Sequence, residues 1–305
     1  MAYYDNLKDF AGQPVTDFNT AGDWKGLDRA YRLREEYEDE IKIVDRLETL
    51  LSIPESQQLK ALVIGAWSGA YEGGEAEAIV AKLAEISPRL PELRSLFFGD
   101  LTSEECEISW IIQSDVSPLL RAYPKLEALC VRGGSGLSMT PGRHTSLKEL
   151  VIQTGGLPRS VLREIFSCDF PALERLELFL GEESYGFDGS VGDLQPLLAG
   201  EIFPNLKSLG LMNSQIADDI AAVVVNSPIV DRIETLDLSQ GNLSNEGANS
   251  LKALAGKENL KQLILSHHYI SQDAIAELRN ALTCEIVAEN SQQPDDEWRP
   301  ILHAE

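Results

Sequence analysis

Apolar residues recur in this chain at offsets 0, 3 and 5 of a unit that repeats eight times. The units begin at Leu59, Leu93, Leu126, Leu147, Leu173, Leu206, Ile233 and Leu260, as in Leu93/Leu96/Phe98 and Leu206/Leu209/Leu211. Successive starts lie 34, 33, 21, 26, 33, 27 and 27 residues apart, and several share a phrase: FPALERL, FPNLKSL, ENLKQL. The last two positions of each triplet are two residues apart, the period of a strand, so their side chains share a face. Helical spacing follows most of the triplets. Residues 74–87 align Ile79, Val80 and Leu83 on one face, and 216–226, 245–255 and 271–282 follow suit. Each unit is therefore predicted to be a strand, a turn, a helix and a return. Such a unit cannot bury its apolar face alone, so neighbours must stack. The predicted fold class is α/β: a curved solenoid with parallel strands on the concave side and helices on the convex side.

This pattern resembles the leucine-rich-repeat superfamily, in its ribonuclease-inhibitor-like class with one helix per unit. The resemblance implies a right-handed horseshoe and covers residues 57–288. Ile216, Leu243 and Ile270 also supply the apolar residue at offset 10 in the last three units. The family usually places Asn or Cys at offset 8, whereas this chain has Trp67, Leu101, Gly134, Gly155, Gly181, Ser214, Gly241 and His268. The AGQPVTDF segment and LVIGAW at 62–67 further resemble an uncharacterised group of bacterial cytoplasmic leucine-rich-repeat proteins.

The ends lack the repeat. Within 1–56, AYRLRE at 30–35 predicts a strand, and Ile41, Val44, Leu47 and Leu51 form a helical stripe ended by Pro54. This segment is read as an N-terminal cap, because a terminal repeat otherwise exposes its core. Residues 289–305 are read as a polar, acidic, loose C-terminal tail in which Trp298, Ile301 and Leu302 dock a partner, pack back on the last repeat, or are disordered.

Outward strand positions carry the candidate partner-binding residues. Val63, Phe97, Cys130 and Val151 make an apolar stripe, which Phe179 and Met212 extend and which Glu177 and Asp237 continue in polar form. An exposed stripe of this kind marks an interaction surface. The loops after the strands are irregular, Gly-rich and acidic. They form a candidate rim containing Trp67, Tyr71, Trp110, Tyr185 and Phe187.

The formal charge of −23, from 26 basic and 49 acidic residues, argues against nucleic-acid binding and against an anionic membrane surface. It favours a basic partner. The first residues have no basic stretch leading into an apolar one, and no run is long enough to span a membrane, so no membrane association is expected. The four cysteines are dispersed with no CxxC, which points to a reducing cytoplasm and to neither a zinc site nor a disulfide framework. No phosphate-binding glycine loop, GxSxG, HExxH or EF-hand pattern is present, so no cofactor, metal or catalytic residue is assigned. His267 and His268 invite a metal reading, but adjacent strand-end side chains diverge. His268 stands at the turn position, where its ring can bond turn backbone.

The expected function is a non-enzymatic module that binds a protein or peptide through its concave face and acidic rim. The alternatives are a regulator of GTPase-regulator type, as in one branch of the superfamily, and a structural homodimer joined through the stripe.

Overall fold

The computed structural model describes residues 5–35, 40–295 and 298–304. Parts of the predicted cap (1–4 and 36–39) and tail (296, 297 and 305) lie outside the described residues. The chain is mixed α/β and forms two compact units, 5–153 with 168–170, and 154–167 with 171–304.

The first unit opens with a hairpin. Strands β1 (Asp9–Phe10) and β2 (Gln13–Asp17) pair antiparallel across Ala11 and Gly12, both at positive φ. That two-residue geometry matches the right-handed twist of paired strands. The elements that follow are β3 (Ala30–Leu33), α1 (Ile43–Leu51), β4 (Ala61–Gly65), α2 (Glu75–Ile86), β5 (Ser95–Asp100), α3 (Ser117–Ala122), β6 (Ala128–Arg132) and β7 (Glu149–Gln153). From β2 to β7 the strands pair in parallel and in chain order.

The second unit contains α4 (Arg159–Phe166), β8 (Arg175–Gly181), α5 (Gln195–Leu198), β9 (Ser208–Ser214), α6 (Ala217–Val224), β10 (Thr235–Asp237), α7 (Asn245–Leu251), β11 (Gln262–Ile264), α8 (Gln272–Ala281) and β12 (Glu285–Val287). Strands β8 to β12 are again parallel and in chain order. In neither unit do the strands close into a barrel.

The register explains the sequence pattern directly. The offset-3 residues are cross-strand partners: Leu62, Leu96, Leu129 and Leu150 in the first unit, and Leu176, Leu209, Leu236 and Leu263 in the second. The offset-5 row Ile64, Phe98, Val131 and Ile152 is aligned in the same way. All of these side chains are buried. The helices cover this face; Ile79, Val80, Leu83 and Ile86 of α2 are buried, as are Ile220, Ala221 and Val224 of α6. In each unit this is a repeat array of parallel strands backed by helices. The predicted strand at 30–35 and helical stripe at 41–51 are present as β3 and α1.

The residue before each strand builds a further ladder on the opposite edge. The Glu174 carbonyl accepts from the Lys207 and Ser208 N–H groups, Lys207 accepts from Glu234 and Thr235, and Glu234 accepts from Lys261 and Gln262. The side chains alternate in charge: Lys207 meets Glu174 at 2.9 Å and Lys261 meets Glu234 at 2.6 Å. In the first unit Glu127 lies 3.5 Å from Arg94 and 2.7 Å from Lys148.

Candidate functional site

The outward row of the first unit runs Arg32, Val63, Phe97, Cys130, Val151 across β3 to β7. The sequence reading leaves this row open to a partner; in the structure the chain's own residues 7–15 cover its first part, at Val63 and Phe97. Leu7, Phe10 and Val15 pack against Ala30, Ala61, Val63 and Phe97, with the Phe10 ring 6.0 Å from that of Phe97. Val63 is 0% and Phe97 2% exposed, Val151 is buried and Cys130 is half-buried. Apolar surface that would otherwise face water is thus covered intramolecularly.

A buried carboxylate anchors that cover. Asp100, at the end of β5, is fully buried and accepts from the Leu7 N–H at 3.2 Å and from Arg32 at 3.0 Å. Arg132 approaches its other oxygen at 3.6 Å while lying 5.2 Å from the Phe97 ring centroid. Arg32 also donates to the Leu7 carbonyl and pairs with Asp17 at 2.6 Å. Asn6 donates to the Asp100 carbonyl and accepts from Arg34. Gly99 makes this crossing possible: it has φ +101°, and a Cβ there would lie 2.7 Å from the Arg132 carbonyl oxygen. Sequence reasoning missed this cluster. Its signal was two arginines at outward strand positions, which need a carboxylate when buried.

In the second unit the corresponding row is Glu177, Gly210, Asp237, Ile264, Val287. Its next outward positions, Phe179 and Met212, are buried rather than open. The C-terminal segment accounts for Phe179, whose ring stacks 6.0 Å from that of His303. That segment is strapped along the strand ends. Tyr269 Oη donates to the Pro300 carbonyl, the Leu302 N–H to Gln240, and Asn213 bonds both the N–H and the carbonyl of His303. Arg299 pairs with Asp218 at 3.0 Å. Glu177, held by Arg175 at 2.6 Å, leans over Gly210, with its Cγ 3.0 Å from where a Cβ would stand. Asp237 is buried and accepts from the Ser239 N–H at 2.9 Å; burial, with the charge of Glu177 adding to it, pushes its pKa up to about 6.

The five rim residues divide. Trp67 is 4% exposed and stacks 5.5 Å from Phe98, and Phe187 is buried, so both belong to the interior. Tyr185 is half-buried in the second unit. Tyr71 and Trp110, in the first unit, are 60% and 61% exposed. Their loops are joined, because the Ile112 N–H donates to the Ala70 carbonyl at 2.7 Å. The next loop continues the series, Gln113 donating to Ser135 and Val116 to Ser138.

The described histidines and the buried thiol Cys106 have structural surroundings. His268 is buried, and its Nδ1 accepts from the Ile270 N–H at 3.0 Å, the turn-bonding role expected of it. His267 takes a left-handed φ of 58° and reaches the Pro300 carbonyl at 3.4 Å. Burial lowers the pKa of both rings. A cleft in the first unit is lined by Arg121, Pro141, Arg143, His144, Cys168 and Phe170. Both His144 nitrogens there are engaged by backbone, at Tyr123 and Leu147. Burial pushes the Cys106 thiol up to about 11, away from thiolate chemistry. Among the described residues no group of three His, Cys, Asp or Glu could hold a metal ion, and no helix is long and apolar enough to cross a membrane.

No family model matches the chain, and no curated protein does. Among solved structures, a Bacteroides fragilis protein determined by structural genomics is 35% identical, with a TM-score of 0.78, over 87% of this chain and 73% of that one. An internalin (InlF) from Listeria monocytogenes is 17% identical with a TM-score of 0.42, over 86% of this chain and 67% of that one. At 35% identity across nearly three quarters of the solved protein, this chain belongs to the same family as the Bacteroides fragilis protein.

Proposed function

We propose that the chain is a non-enzymatic interaction module that binds a protein or peptide at the loop rim of its first unit. The scaffold in this reading is a right-handed leucine-rich-repeat solenoid of the ribonuclease-inhibitor-like class. One observation carries the reading. Tyr71 and Trp110 stand more than half exposed on two loops bonded to each other, while the neighbouring concave row is covered at Val63 and Phe97. Irregular loops on one edge of a repeat array are where such scaffolds vary their contacts. The acidity of the rim favours a basic partner. Four free thiols, two of them buried, suit a reducing cytoplasm. Packing of Leu7, Phe10 and Val15 on Val63 and Phe97 favours the rim over a homodimer joined through the stripe.

The test is capture of a partner by the immobilised chain and by its Tyr71→Ser/Trp110→Ser variant. Both side chains are largely in water, so the variant should melt within about 2 °C of the parent. Loss of capture is expected; equal capture by the folded variant would overturn the rim assignment.

A further inference from the structure

We propose that the Tyr71–Trp110 rim seats a lysine or arginine side chain of the partner. This rests on the rim reading and adds the chemistry that selects the partner. Residues 66–75, which run to the first residue of α2, and residues 101–112 carry Glu72, Glu75, Glu104, Glu105 and Glu107 and contain no lysine or arginine. Glu105 is committed: it pairs with Arg34 at 2.9 Å and accepts from the Thr102 N–H at 2.8 Å. Glu72, Glu75, Glu104 and Glu107 are exposed and form no ion pair among the described residues.

Two exposed aromatic side chains on segments that also carry four uncommitted carboxylates complement a cation in two independent ways. The ring faces attract it through their quadrupole, and the carboxylates raise its local concentration. An apolar segment laid on the same rings would strip water from those carboxylates without compensation. An anionic partner would be repelled by them.

The backbone fixes where the two residues leave their loops. Ala70 and Ile111 are buried, the Ala70–Ile112 bond ties the loops, and the Trp110 N–H closes a turn onto the Glu107 carbonyl at 2.9 Å. Trp110 lies two residues from the bonded Ile112, so its Cα is within about 7 Å of that residue's. Tyr71 adjoins the bonded Ala70. Little backbone ordering is therefore left for the partner to impose.

The experiment follows the Trp110 indole N–H resonance of the full-length chain, assigned through a Trp110→Phe variant. The probes are acetyl-Gly-Lys-Gly-Lys-Gly-amide, its arginine counterpart and its norleucine counterpart. The two cationic peptides are expected to shift the resonance at concentrations at least about fivefold lower than the norleucine peptide. Their binding should weaken several-fold between about 20 and about 300 mM salt, and in Tyr71→Ala and Glu104→Gln/Glu107→Gln variants. Equal midpoints for lysine and norleucine, or no shift by either cationic peptide at concentrations on the order of 10 mM, would overturn the proposal. If the rim variant nonetheless loses partner capture, the rim reading stands and only its cation selectivity fails. Unchanged capture by that variant overturns the rim reading itself.

Discussion

Asp237 sits between Glu177 and the buried strand ends, where its charge is poorly solvated. Its pKa in the folded chain, about 6, lies above the ordinary value of 3.8. Between those values the folded state holds the proton more tightly than the unfolded state does. Stability is therefore greatest below pH 4 as far as this group is concerned, and falls as pH rises through 6. Asp237→Asn removes the charge and keeps an acceptor for the Ser239 N–H. The substitution should stabilise the chain by about 1–2 kcal/mol at pH 7 and by nearly nothing at pH 4. Urea midpoints at the two pH values check this, and an equal effect at both would show that ionisation is not its source.

At the scale of elements, the segment from Asn6 to Val15 is held by one carboxylate at its polar end and by Leu7, Phe10 and Val15 along its apolar length. Asp100→Ala would leave Arg32 and Arg132 facing each other without the charge they share. A loss of about 3–5 kcal/mol is expected, the cost of breaking a buried ion pair from one side. Hydrogen exchange at residues 7–15 should accelerate before exchange in β9 and β10 does; uniform acceleration would mean that the segment is not held through Asp100.

This cover is also where the sequence was hardest to read. The strands were legible because Leu62, Leu96, Leu129 and Leu150 repeat a spacing that only stacked strands explain. Leu7, Phe10 and Val15 repeat nothing, and they meet Phe97 across more than eighty residues of chain. An outward apolar position looks the same in sequence whether water, a partner or the chain itself lies over it. The rim was half legible for a similar reason. Loop composition located Tyr71 and Trp110, but Trp67 follows β4 so closely that it still turns inward, onto Phe98.

For the whole molecule, stability should be carried by the leucine rows and far less by the charged edge. Leu209→Ala, at a buried position paired with Leu176 and Leu236, should cost about 2–5 kcal/mol. Lys261→Ala, which breaks an exposed pair with Glu234, should cost at most about 1 kcal/mol. Chemical denaturation of the two variants separates the contributions, and comparable losses would contradict this division.

The charged edge has another consequence. Its signs alternate from repeat to repeat, Glu174, Lys207, Glu234, Lys261. Excising the single repeat that carries Lys207 would set Glu174 beside Glu234, like against like. Excising two would bring Glu174 to Lys261 and restore the match. Over these four repeats, then, removal keeps opposite charges side by side only when repeats leave in pairs.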